Sequence, residues 1–286
     1  MTVSIGSCRA DEYPALLAAL DYTFVTARGR TASLATRFPQ ALGADRLATI
    51  RCLREDDEIR ACLVTRPFTW ITRGSEWRGA MIGMVYTTPA ARGRGLATQL
   101  LAITVTELAA ISIDFAVLWS GLDGFYERLG WVRHDVGVLG TVILSSLMDA
   151  APILVAQTAP LPLRMRPTAR VMRDALAMHA MPLPATSCEL VEYGAAYALY
   201  GRDDDTVYLY EAIGATTDFP ALWSAVSHGA TRIMINECAN SAFYTWLSAN
   251  TAVSWRPQRQ TYWRMLSARA QTAPYAQWHI PYFDRI

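Results

Sequence analysis

Apolar side chains recur at helical spacing over residues 11–24 (DEYPALLAALDYTF), and the apolar run Leu47 to Leu53 that follows predicts a strand. The polar turn Arg54-Glu55-Asp56-Asp57-Glu58 and a second apolar run, Ile59 to Thr65, complete a predicted hairpin. Acids clustered at such a turn can hold a cation or face solvent as a hairpin tip, and a tip is the expectation here. Further on, Met81 to Thr87 predicts a strand stopped by Pro89, and Gly95 to Ala110 (GLATQLLAITVTELAA) predicts a helix made of good helix formers. Phe115 to Trp119 predicts a buried strand, Gly124 to Leu129 a short helix and Trp131 to His134 the start of another strand. The resulting fold class is mixed α/β (α+β), with sheets flanked by helices.

The stretch Asp149 to Pro167 carries four prolines and little periodicity, which suits a connection between domains. The predicted division is therefore 1–150 and 151–286. Past it, Ala195 to Tyr200, the turn Arg202-Asp203-Asp204-Asp205 and Val207 to Ile213 predict a second hairpin whose turn echoes the first. A predicted strand at Arg232 to Asn236 then precedes Ser241-Ala242-Phe243-Tyr244, much as Phe115 to Trp119 precedes Asp123-Gly124-Phe125-Tyr126. Two copies of one plan, or a chance likeness of two hairpins, would both read this way.

Composition narrows the chemistry. With 286 residues, 52% hydrophobic and 18% charged, the chain can bury a sizeable core. A net charge of +1 supplies no field for nucleic acid or an anionic membrane, so neither is an expected partner. A homo-oligomer stays open. All 26 basic residues are arginine. Without lysine there is no Schiff-base nucleophile, no pyridoxal-phosphate anchor and no Walker loop. The cysteines (Cys8, Cys52, Cys62, Cys188, Cys238) are odd in number and contain no CxxC, and the histidines are scattered, which argues against zinc. Cys52 and Cys62 are expected as buried thiols flanking the first hairpin. The N-terminus shows no leader pattern and no apolar run is long enough for a span, so a reducing cytoplasm is the expected location.

The chemistry-bearing segment runs from Val85 through Thr87, Pro89, Arg92-Gly93-Arg94-Gly95 and into the helix at Leu96-Ala97. A helix N-terminus offers unpaired N–H groups and partial positive charge, and glycines let a diphosphate approach that backbone. Arg92 and Arg94 could add charge-assisted contacts. A dinucleotide fingerprint would need a third glycine where Thr98 stands, and the preceding strands read as antiparallel hairpins.

Arg92-Gly93-Arg94-Gly95-Leu96-Ala97 resembles the Arg-x-x-Gly-x-Gly/Ala cofactor signature of the GNAT superfamily of N-acetyltransferases. Leu118-Trp119-Ser120 followed by Phe125-Tyr126-Glu127-Arg128-Leu129-Gly130-Trp131 is similar to that superfamily's second motif. The resemblance covers roughly residues 10–140 and is nearest to the enhanced-intracellular-survival type, with tandem GNAT domains and a sterol-carrier-like third domain, which is not expected here. No such signature follows Val207 to Ile213, so the second half is expected to be a degenerate copy that shapes the pocket and binds no cofactor.

The resemblance implies acetyl-CoA (coenzyme A) as cosubstrate, with Val85, Thr87, Arg92, Gly93, Arg94, Gly95, Leu96 and Ala97 as cofactor-binding residues. Its thioester would lie where the strands Met81 to Thr87 and Phe115 to Trp119 splay, with a backbone N–H near Val85 to Thr87 facing the oxyanion. Tyr126 would donate a proton to the departing thiolate, or else pack as a core aromatic. Ser120 would polarise Tyr126 or cap a helix. For a general base the candidates are Tyr86, His134 and the tail Tyr282-Phe283-Asp284-Arg285-Ile286, and none stands out. The implied activity is acetyl transfer to a primary amine of a small molecule, and the rival is a non-catalytic acyl-CoA-binding sensor.

Overall fold

A computed structural model of the chain describes residues 2–144, 169–172 and 188–286, so the predicted connection Asp149 to Pro167 lies outside the described residues. The first half runs β1 (Val3–Ser7), α1 (Tyr13–Phe24), α2 (Leu34–Arg37), α3 (Pro39–Leu42), β2 (Ile50–Glu55), β3 (Glu58–Thr72), β4 (Ser75–Thr87), α4 (Leu96–Ala110), β5 (Phe115–Trp119), β6 (Val132–Arg133) and β7 (Gly137–Ile143). The second half runs β8 (Ala169–Val171), β9 (Glu189–Tyr193), β10 (Ala196–Asp203), β11 (Thr206–Ile213), α5 (Phe219–Ser227), β12 (Arg232–Cys238), α6 (Ala242–Asn250), β13 (Ser254–Pro257), β14 (Thr261–Met265) and α7 (Ala268–Gln271).

The predicted elements are present with shifted ends. Leu47–Thr49 forms a 3-10 turn, and the strand begins at Ile50. Strands β3 and β4 run far past the apolar cores that announced them, meeting at a tight turn in which Arg73 (φ 50°) and Gly74 (φ 74°) are left-handed. Gly124 to Leu129 holds a 3-10 turn only at Glu127–Leu129, stopped by left-handed Gly130. The acidic turn after β2 is a hairpin tip: Asp56 and Asp57 are left-handed and Asp57 pairs with Arg9 at 2.8 Å. Cys52 and Cys62 sit opposite each other across that hairpin, buried and free.

Two mixed sheets result, ordered β1-β2-β3-β4-β5-β14-β6, with β8 on β3, and β13-β7-β12-β11-β10-β9. Each contains one parallel pair, β4 with β5 through α4 and β11 with β12 through α5, because a helical crossover returns the chain in the same direction. Beyond the parallel pair each sheet continues with a strand from the other half. Strand β14 pairs antiparallel with β5, and β7 pairs antiparallel with β12. The two copies of the plan thus exchange strands, and the division near 150 separates halves of the chain without separating the sheets.

Helix α4 buries Leu96, Leu100, Leu101 and Leu108 against one face of the first sheet. At about 1.5–3 kcal/mol for each fully buried leucine, this packing holds the helix start in place. Helices α1 to α3 cover the other face, with Leu16, Leu20, Leu34 and Leu42 buried. In the second sheet Phe219, Leu222, Phe243 and Leu247 of α5 and α6 join one core.

Candidate acetyl-transfer site

The site begins with a defect in β4. Pairing with β3 shifts from Cys62 opposite Tyr86 to Val64 opposite Gly83, and Met84 between them takes φ 47°. This is a bulge, which adds a residue to one strand and frees backbone groups from the ladder. On the other side β4 pairs with β5 only from Gly79 to Met81, opposite Phe115 to Val117. Past that point a cavity of about 620 Å3 lies between Ile82–Val85 and Leu118–Leu122.

At the far end of β4 the chain turns through Gly93 (φ 77°) and Gly95 (φ 78°), and Gly95 is the N-cap residue of α4. A Cβ at either glycine would meet nothing within 4 Å, so these positions need glycine for backbone conformation and leave the helix start open. The first-turn N–H groups of α4 have no intrahelical partner, and no acidic residue stands in that turn. Arg94 is engaged elsewhere: its Nη1 and Nη2 donate to Glu55 at 2.8 and 2.6 Å. Arg92 is exposed and only touches Thr87 O, at 3.4 Å. The equivalent start of α5 is different, with Asp218 at the N-cap and a proline in the first turn, which adds negative charge and removes a donor.

Tyr126 lies on the cavity wall and is 5% exposed. Its ring packs against Phe125, Tyr262 and Trp131, with centroids at 4.9, 5.3 and 6.3 Å. Burial pushes its phenol up to about 12, the Ser120 hydroxyl working against that rise. Tyr126 therefore keeps its proton throughout the neutral range. Ser120 Oγ also accepts from Leu122 N at 3.1 Å, so it closes the turn after β5 and caps no helix.

The fold brings Val85 and Tyr126 to one cavity, while Thr87 and the turn Arg92 to Ala97 lie outside its lining, at the end of β4. Leu96 is buried and Ala97 half-buried at the start of α4. Among the candidate bases, Tyr86 packs into the core under α1 to α3, and His134 Nε2 contacts Ala276 O at 2.6 Å, away from the cavity. The tail does enter: Tyr282, Arg285 and Ile286 line the cavity, and a Cβ on Gly83 would sit 3.1 Å from Ile286 O. A larger residue at 83 would require the tail to give by a few tenths of an ångström. Sequence reading missed Arg28, Arg30, Gln258 and Gln260 as cavity residues. Their positions come from a loop after α1 and the β13–β14 connection, and no local pattern joins those segments.

Residues 4–133 match the acetyltransferase (GNAT) domain family. That match falls in the N-terminal half and takes in the strand, glycine turn and helix of the candidate site. Over more than nine-tenths of its length the chain shares the fold of solved proteins at low identity. A GCN5-related N-acetyltransferase from Kribbella flavida is 14% identical, with 94% of this chain and 72% of that one covered and a TM-score of 0.71. Eis1 from Mycobacterium abscessus is 15% identical, covering 94% and 74% with a TM-score of 0.66. A tandem GNAT protein from the clavulanic acid biosynthesis pathway is 10% identical, covering 93% and 99% with a TM-score of 0.54. Among curated proteins no sequence matches.

Proposed function

We propose that the chain transfers an acetyl group from acetyl-CoA directly to a primary amine of a small molecule. The observation that carries this reading is the bulge at Met84 beside the divergence of β4 from β5, with the Tyr126 phenol on the same cavity. Acetyl-CoA supplies an activated acyl group, and the open turn at Gly93 and Gly95 with the free amides of α4 suits its diphosphate. Arg92 is the cation of that turn, since Arg94 is committed to Glu55. Val85 and Thr87 flank the freed backbone of β4, where an N–H stabilises the developing oxyanion. Tyr126 gives its proton to the departing thiolate. The second half completes the cavity through the β13–β14 connection and the tail and, with Asp218 at the start of α5, holds no cofactor of its own.

The test mixes the protein with acetyl-CoA and a panel of primary amines while following free thiol. Amine-dependent thiol release with N-acetylated product is the expected result. Acetyl-CoA binding without release on any amine would replace the enzyme with an acyl-CoA sensor.

A further inference from the structure

Among the described residues the charged side chains that line the cavity are all cationic, Arg28, Arg30 and Arg285, and they outnumber the one carboxylate there, the main-chain end at Ile286. Arg285 is 7% exposed yet makes no ion pair with a described residue. Its Nε and Nη2 both donate to Ile280 O, at 3.0 and 2.8 Å, and its guanidinium lies 5.0 Å over the Trp119 ring. The Asp135 carboxylate is already taken by the N–H groups of Gly137, Gln260 and Thr261 and by the Thr261 hydroxyl. Burial pulls Arg285 down to about 10, opposed by Asp135, Tyr282 and Asp284, so it is still charged at neutral pH.

A guanidinium withdrawn from water without a counter-ion is costly, and the cost is offset when an anion arrives. Arg28 and Arg30 add positive charge to the lining and likewise have no ion-pair partner among the described residues. The rest of the lining is largely apolar and aromatic, with Phe24, Phe38, Trp119 and Tyr282. Gln258, 7% exposed, leaves its Oε1 without a hydrogen-bond partner.

We propose that the acceptor is an amine that also carries a carboxylate on an apolar or aromatic body, with the carboxylate held by Arg285 and drawn in by Arg28 and Arg30. This rests on the transferase reading above. A planar guanidinium fork matches a carboxylate, and the aromatic walls match the body. A polycationic acceptor meets like charge on entry.

Phenylalanine and phenethylamine differ only by the carboxylate and form the decisive pair, with spermidine as the polycation. The expected kcat/KM favours phenylalanine by about tenfold or more, the effect of a charge-assisted pair. Arg285→Met narrows that preference. Because Arg285 is buried, the exposed-side double variant Arg28→Gln/Arg30→Gln provides a second reading, raising KM for phenylalanine with kcat kept. Calorimetry with N-acetylphenylalanine and N-acetylphenethylamine reads the same selectivity without turnover. Equal or reversed preference among active amines overturns this inference and leaves the transferase reading standing. Selective binding of N-acetylphenylalanine, lost in Arg285→Met, with no turnover on any amine, overturns the transferase reading and upholds the carboxylate subsite. If Arg285→Met folds but no longer binds acetyl-CoA, the arginine serves the cofactor and the inference falls.

Discussion

At the scale of single residues, the chemistry turns on a phenol that burial keeps protonated. Tyr126→Phe keeps the packing against Phe125, Tyr262 and Trp131 and removes the proton, so folding and acetyl-CoA binding should persist while kcat falls. General acid catalysis is worth about 10²–10⁴-fold, so a loss of roughly a hundredfold is expected by steady-state kinetics, and an unchanged kcat would leave Tyr126 as packing only. A second residue-scale prediction concerns Glu12. Its carboxyl is held below the usual 4.5, first by the hydrogen bond from Arg54, at 2.6 and 2.5 Å. A lowered carboxyl pKa stabilises the fold above its unfolded value, and that contribution is lost as pH falls through the folded one. Melting temperature between pH 6 and 3 should therefore fall more steeply in the wild type than in Glu12→Gln; parallel curves would show the pair adds nothing.

At the scale of elements, the turn from β4 into α4 is where the cofactor reading can fail. Ligand binding to the native state raises its melting temperature by mass action. Gly95→Glu places a side chain in a left-handed position (φ 78°) and negative charge at a helix start, so the acetyl-CoA shift should vanish. Arg92→Ala should shrink the shift more than Arg94→Gln, because Arg94 already spends its guanidinium on Glu55. Equal losses in both arginine variants would mean that Arg94 leaves Glu55 on binding. Strand, glycine turn and helix were readable locally, since their signals are periodicity and backbone permission. The bulge at Met84 was not readable, because nothing in a methionine asks for φ 47° and only the competing pairings of β3 and β5 impose it.

At the scale of the molecule, the strand exchange sets what can fold. Strand β14 carries Tyr262 and Trp263, both essentially unexposed, into the first sheet beside β5. A fragment of residues 1–150 lacks that strand, and a fragment of 151–286 lacks β7. Expressed separately, each should be poorly folded by circular dichroism and silent toward acetyl-CoA by calorimetry, and co-expression should restore a complex. A monomeric, cooperatively melting 1–150 fragment that binds acetyl-CoA would show the exchange to be dispensable.

Sequence alone determined α1, α4, β2 to β6, β10 to β12, the hairpin tips, the glycine turn and the family signature, because each depends on residues close together in the chain. What only the tertiary structure decided is which distant segments meet: β14 beside β5, β7 beside β12, and Arg28, Arg30, Gln258 and Arg285 around one cavity. Long-range contacts of that kind are chosen by burial and sheet edges competing across the whole molecule, and a one-dimensional pattern of apolar and polar positions carries no record of the winner.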